Sequence, residues 1–138
     1  MTREEVLEFV SGNPVFFLAT VQGRKPHVRG MMLYCADEDG LVFCTDKAKD
    51  LYKQLGNNPA VEMCFYDPRD VAQVRVSGKV TELDDLELKK QVVAKFVFLK
   101  PWIDHAGYDA MAVFRLAGGK AVSWAMGAGV QPKQEIEL

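Results

Sequence analysis

Histidine is scarce in this chain: His27 and His105 are the only two, and they lie far apart in 138 residues. No local Ser-His or Cys-His pair exists, and the patterns G-x-S-x-G, HExxH, G-x-x-x-x-G-K and GxGxxG are all missing. A hydrolase, a zinc peptidase and a phosphate-loop nucleotide enzyme each lose their main support. Cysteine is scarce as well. Cys35, Cys44 and Cys64 are odd in number, form no CxxC pair and sit in apolar runs. That pattern reads as buried, reduced thiols of a cytoplasmic protein, with no disulfide frame and no metal site. Charge of one sign is not in excess. The chain carries 17 Lys and Arg against 19 Asp and Glu, a net charge of −2, which excludes a nucleic-acid-coating protein. No run approaches the roughly 18 apolar residues of a spanning helix. The opening Met-Thr-Arg-Glu-Glu is too acidic for a signal peptide. The expected protein has no membrane segment and no nucleic-acid partner.

Apolar residues, by contrast, are plentiful, at 49% against 26% charged. One domain over residues 1–138 is expected, with apolar surface left over for a ligand or a partner subunit. Thr2 and Glu5 form a capping box before a short helix ending at Gly12-Asn13-Pro14. Strands are expected over Val15–Val21, His27–Ala36 and Leu41–Thr45, separated by short polar turns as in an antiparallel meander. Ala48, Leu51, Tyr52 and Leu55 then follow a helical period, stopped by Gly56-Asn57-Asn58-Pro59. Strands Ala60–Tyr66 and Val71–Leu83 follow, the second with Gly78 as a bulge or a close backbone approach. A helix capped by Asp84 or Asp85 runs to about Val97, Leu99–Gly107 reads as a loop, and Ala110–Leu116 with Ala121–Met126 form a hairpin. The tail 127–138 reads as polar and flexible. About six to seven antiparallel strands with peripheral helices suggest a mainly β (α+β) small barrel.

The chemistry concentrates between Arg29 and Lys53. Arg29 stands in an otherwise apolar strand beside Gly30, which lets another group approach the backbone. Thr45 ends the next strand, and a helix bearing Lys49 follows. A guanidinium, a hydroxyl and a helix start are what a phosphate needs. Arg29 and Lys49 would share that task if their two strands pair. The competing reading is a solvated lysine-rich helix and an arginine at a strand edge. A second candidate is the face shared by Gln73, Arg75 and Ser77, which either meets solvent or lines a ligand site.

In this order the stretches PHVRGMMLY (26–34), LVFCTDKAKDLYKQLGNNPAVEMCFY (41–66) and QVRVSGKVTEL (73–83) resemble the pyridoxamine 5′-phosphate oxidase-like family of flavin-binding split β-barrels. The resemblance implies a homodimer with FMN in two clefts at the subunit interface and a small-molecule substrate. It places Arg29 near the flavin phosphate and Gly30, Met31 and Met32 alongside the ring. Thr45 and Asp46 fall at the phosphate and ribityl chain, and Gln73 reaches in from the facing subunit. Lys49 stands in for a second basic ligand, because Lys49-Asp50-Leu51 occupies the place of the vitamer oxidase's Ser-Arg-Lys run. Trp124 and Trp102 are candidates to stack on the ring, with core packing as the competing role. The vitamer oxidase's C-terminal Trp and Arg element has no counterpart here, so the likeness is to the short nitroimidazole-reductase and general-stress branches. The function implied is FMN-dependent transfer of hydride or electrons, and the alternative is a flavin, deazaflavin or haem binder with little or no turnover.

Overall fold

The computed structural model describes residues 1–128 and 133–138. The chain runs α1 (Arg3–Gly12), β1 (Val15–Gln22), β2 (Lys25–Met32), β3 (Cys35–Asp37), β4 (Gly40–Asp46), α2 (Asp50–Asn57), β5 (Ala60–Asp67), β6 (Ala72–Leu83), α3 (Leu86–Lys95), α4 (Lys100–Ala106), β7 (Met111–Leu116), β8 (Lys120–Ala125) and β9 (Glu135–Glu137). Every strand pairing is antiparallel. The class is mainly β with helices at the periphery, a split barrel as expected. Nine strands are described rather than six or seven.

The split lies in β6. Along one edge this twelve-residue strand pairs with β5. Along the other it pairs with β8 from Ala72 to Ser77, and then with β7 from Val80 to Leu83. One strand therefore belongs to two sheets, β2-β1-β5-β6-β8-β9 and β6-β7-β4-β3. Gly78 sits at the changeover. A Cβ there would lie 3.2 Å from Leu116 Cδ2 and 3.3 Å from the Gly119 Cα, so the close approach expected of this glycine is present.

Both sheets close on one core. Phe16 stacks on Phe65 at 4.9 Å between ring centroids, and Phe43 on Phe114 at 5.6 Å. Val6, Val10, Leu51 and Leu55 bring α1 and α2 onto the same core. A second cluster of Val42, Val92, Val93, Ile103, Met111 and Val113 holds α3 and α4 against the β4 side. The α1 capping box is formed in full, Thr2 Oγ1 accepting the Glu5 amide while Glu5 accepts the Thr2 amide.

Five expectations change. β7 and β8, expected as a hairpin, do not pair with each other: the chain passes through Gly118-Gly119 and continues along the same edge of β6, so Leu116 pairs with Val80 and Lys120 with Ser77. The strand expected over His27–Ala36 is two strands: at Leu33 the backbone leaves β1 and its amide donates to the Pro14 carbonyl, and Tyr34 donates to Val42. An unbroken apolar run cannot reveal where a strand changes partner. As a result β2 and β4 do not pair with each other. The helix after Thr45 begins at Asp50, because Asp46 Oδ1 accepts the Ala48 amide and holds a turn first. The expected loop Leu99–Gly107 contains α4, with Pro101 in its first turn. The expected flexible tail holds β9, paired with β8, while residues 129–132 of it lie outside the described residues.

Candidate functional site

β2 is an edge strand. It has β1 on one side and, among the described residues, no strand on the other. Its free edge borders a cleft of about 570 Å³. Its lining is of two kinds. Arg29, Thr45, Asp46, Lys49 and Asp50 make the polar part, and Phe96, Phe98, Leu99 and Trp102 make an apolar part from the segment around α4. Gly30, Met31 and Met32 line it from β2. Seven of the nine residues proposed from sequence thus line one cleft, although the strands bearing Arg29 and Thr45 do not pair.

Arg29 is the most constrained of these. Its Nη1 donates to Thr20 Oγ1 at 2.8 Å and to the Leu18 carbonyl at 3.3 Å, and its Nη2 donates to Gln54 Oε1 at 2.6 Å. The Thr20 hydroxyl in turn donates to Gln54 Oε1 at 2.7 Å. All these acceptors are uncharged. Among the described residues no carboxylate pairs with Arg29. Partial burial pushes its pKa down, yet a guanidinium stays charged at any ordinary pH. The site therefore holds a fixed positive charge that, among the described residues, no carboxylate contacts.

The N-terminus of α2 adds to this polar part. Lys49 is its cap residue, and no side chain accepts from the first amides of the helix. Those amides and the positive end of the helix dipole face whatever lies before them. Asp46 and Asp50 also line the cleft and oppose this charge, but the Asp46 carboxylate is engaged by the Ala48 amide. Thr45 is 6% exposed, held at the end of β4. Cys44, one residue earlier, has its thiol pushed up to about 11 by burial, with Lys49 acting weakly in the other direction.

Gln73 and Trp124 stand elsewhere. They are register partners on β6 and β8, and they line a separate hollow of about 600 Å³ with Arg75, Val122 and Lys133. Within one chain neither joins the Arg29 cleft. Trp124 is 45% exposed, so it is not a core residue, whereas Trp102 both packs on the second cluster and lines the Arg29 cleft. Gln73 belongs to an outer sheet face whose register continues through Tyr66, Cys64, Phe17, Gly30 and Val28. On it Phe17 is 51% exposed and Val28 69%, and Met32 and Val15 are also exposed.

Thr20, Gln54, Phe96 and Phe98 were not singled out in the sequence. Phe96 falls within the helix expected to run to about Val97, where it reads as a packing position, and Phe98 follows directly after it. Thr20 and Gln54 carried no signal, because their roles arise only when β1, β2 and α2 meet. Among the described residues no group of His, Cys, Asp and Glu could hold a metal ion, and no helix is long and apolar enough to cross a membrane.

Comparison with known proteins gives these features a context. A family model described as pyridoxamine 5′-phosphate oxidase matches residues 2–116. General stress protein 26 of Bacillus subtilis is 34% identical over 107 residues, 74% of this chain and 73% of that protein. The pyridoxine/pyridoxamine 5′-phosphate oxidase of Anaeromyxobacter dehalogenans is 39% identical over 71 residues, and the match spans 51% of this chain but only 36% of the oxidase. Among solved structures, a NimC/NimA family protein from Clostridium acetobutylicum superposes with a TM-score of 0.79 at 25% identity, covering 98% of this chain and 92% of that one. A pyridoxamine 5′-phosphate oxidase-related, FMN-binding protein from Nostoc punctiforme shares the fold, with a TM-score of 0.66 at 20% identity, covering 96% and 87%.

Proposed function

The chain belongs to the pyridoxamine 5′-phosphate oxidase family, and from that premise we propose that it binds FMN in the Arg29 cleft and transfers hydride or electrons between a reductant and a small molecule. The observation that carries this reading is the Arg29 charge, held by neutral partners and met by no carboxylate among the described residues, in a cleft that Phe96, Phe98 and Trp102 also line. A flavin mononucleotide calls for both kinds of lining: it has a dianionic phosphate at one end and a planar, largely apolar ring at the other.

The residues fit that molecule. Arg29, Lys49 and the first amides of α2 would hold the phosphate. Thr45 would meet the chain joining phosphate and ring. The free edge of β2 at Gly30, Met31 and Met32 offers unpaired backbone amides and carbonyls for the polar edge of the ring. Phe96, Phe98 and Trp102 would exclude water from its face. When bound, flavin supplies the redox chemistry, so the protein needs to bind, orient and tune it rather than provide a nucleophile. This accounts for the missing catalytic motifs.

A second copy of the chain completes the reading. The outer face bearing Phe17, Val28 and Met32 is too apolar to be left to water. Gln73 and Trp124 stand on that same face, so a partner docked there would bring them toward the first copy's cleft. FMN would then lie at the subunit interface of a homodimer. A small-molecule substrate would enter on the apolar side.

The absorption spectrum of the purified protein tests the reading. A yellow protein, or one that takes up added FMN, is the expected result. Arg29→Ala should weaken FMN by ~1.5–3 kcal/mol through loss of a charged phosphate contact. A colourless protein that does not bind FMN overturns the proposal. Oxidation of NAD(P)H in the presence of a small acceptor separates an enzyme from a protein that binds flavin without turnover.

A further inference from the structure

Gln54 is a polar residue in a place built for an apolar one. It lies on the buried face of α2 with Leu51 and Leu55, and is 4% exposed. Burying an amide is costly unless its groups are bonded, and here Oε1 accepts from both Thr20 and Arg29. Arginine only donates, so the oxygen and not the amide nitrogen of Gln54 must face it. Thr20, 1% exposed, relays the same arrangement: its oxygen accepts from Arg29 and its single proton goes to Gln54. The three side chains form a closed ring drawn from β1, β2 and α2. Nothing in that ring is negatively charged.

A neutral clamp has an electrostatic consequence. A glutamate would hold Arg29 equally well by geometry, but its charge would cancel the guanidinium's. Three of the five guanidinium N–H donors are taken, two on Nη1 and one on Nη2. The remaining pair, on Nε and Nη2, makes up the side-on edge with which arginine grips two oxygens of a phosphate. The clamp uses the donors that fix the side chain and leaves that edge without a partner among the described residues.

Resting on the FMN reading above, we propose that Gln54, seconded by Thr20, is the positioning residue that sets the cleft's selectivity for a phosphorylated over an unphosphorylated ligand. It does so by immobilising Arg29 without neutralising it. Gln54 does not touch the ligand. Its contribution is confined to the phosphate end, so the flavin ring should be indifferent to it.

The experiment titrates the full chain with FMN and with riboflavin, following quenching of flavin fluorescence, for wild type, Gln54→Glu and Thr20→Val. The wild type should prefer FMN. Gln54→Glu should lower that preference about tenfold or more, as expected when a charged hydrogen-bonding partner is neutralised. Riboflavin affinity should stay within about twofold, which also reports that the variant is folded. Thr20→Val keeps the buried volume but cuts the ring, and should lower the preference by a smaller factor. It carries the test by itself if Gln54→Glu does not fold. A wild-type preference that survives in both variants overturns the clamp and leaves the FMN reading standing. A wild type that binds the two flavins equally overturns the phosphate placement, and the clamp with it.

Discussion

A thiol that must ionise where little water can solvate the thiolate is a poor nucleophile at neutral pH. Cys44 shows this within the cleft itself: burial raises it to about 11 from an ordinary value of 9.0. The sign of the linked stability follows. The folded state holds the proton more tightly than the unfolded chain, so the stabilising contribution is complete below pH 9.0 and is lost as pH rises toward about 11. Cys44 should therefore label slowly with a thiol reagent at neutral pH, with a rate that climbs through the alkaline range. Fast labelling at pH 7 would mean that the cleft floor is wetter than its packing indicates. At this scale the sequence was legible where chemistry contrasts with its neighbours. Arg29 stands out among Val28, Gly30 and Met31. Gln54 does not stand out, because a glutamine between Lys53 and Leu55 looks like any solvated helix position. Only its meeting with β1 and β2 makes it special, and no local spacing encodes that.

Elements were legible in proportion to how local their causes are. The α1 capping box, the amphipathic stripe of α2 and the alternation in β5 each arise within a few residues, and each is present. The break between β2 and β3, the helix α4 and the short β9 depend on partners distant in the chain. Close packing at the turn between β7 and β8 is another such long-range effect. A Cβ on Gly119 would lie 2.9 Å from the Ser77 carbonyl oxygen and 3.3 Å from Val76 Cγ1, and would press into Leu116. Gly119→Ala should therefore destabilise the fold by about 1–3 kcal/mol, the usual range for overpacking. A thermal melt reads this directly. An unchanged midpoint would show that the turn can give way without disturbing β6.

For the molecule as a whole, the decisive surface is the outer face of the β2-β1-β5-β6-β8 sheet. Its apolar share, noticed first as an excess in the composition, collects at Phe17, Val28, Met32 and Trp124. Val28→Glu places a charge where the proposed second copy would dock. Light scattering should then report a monomer where the wild type gives a dimer, and FMN affinity should fall in parallel because Gln73 and Trp124 of the other copy are withdrawn. A wild type that is itself monomeric would reject the dimer. The outer face could not be read from sequence as an interface, since the alternation in β1 and β2 marks two faces without saying what covers the second.

The sharing of β6 between two sheets also bears on how the chain assembles. Its pairing with β5 is a hairpin and can form early, since the closing loop is short. Its pairings with β7 and β8 must wait until α3 and α4 have been spanned, and they fill adjacent halves of a single edge. Neither sheet can be finished while that edge stands open, and an open edge is where strands of other chains could add. The two sheets thus share one point of completion: until β7 and β8 are both in place, the half-filled edge of β6 stays available for association with the wrong partner.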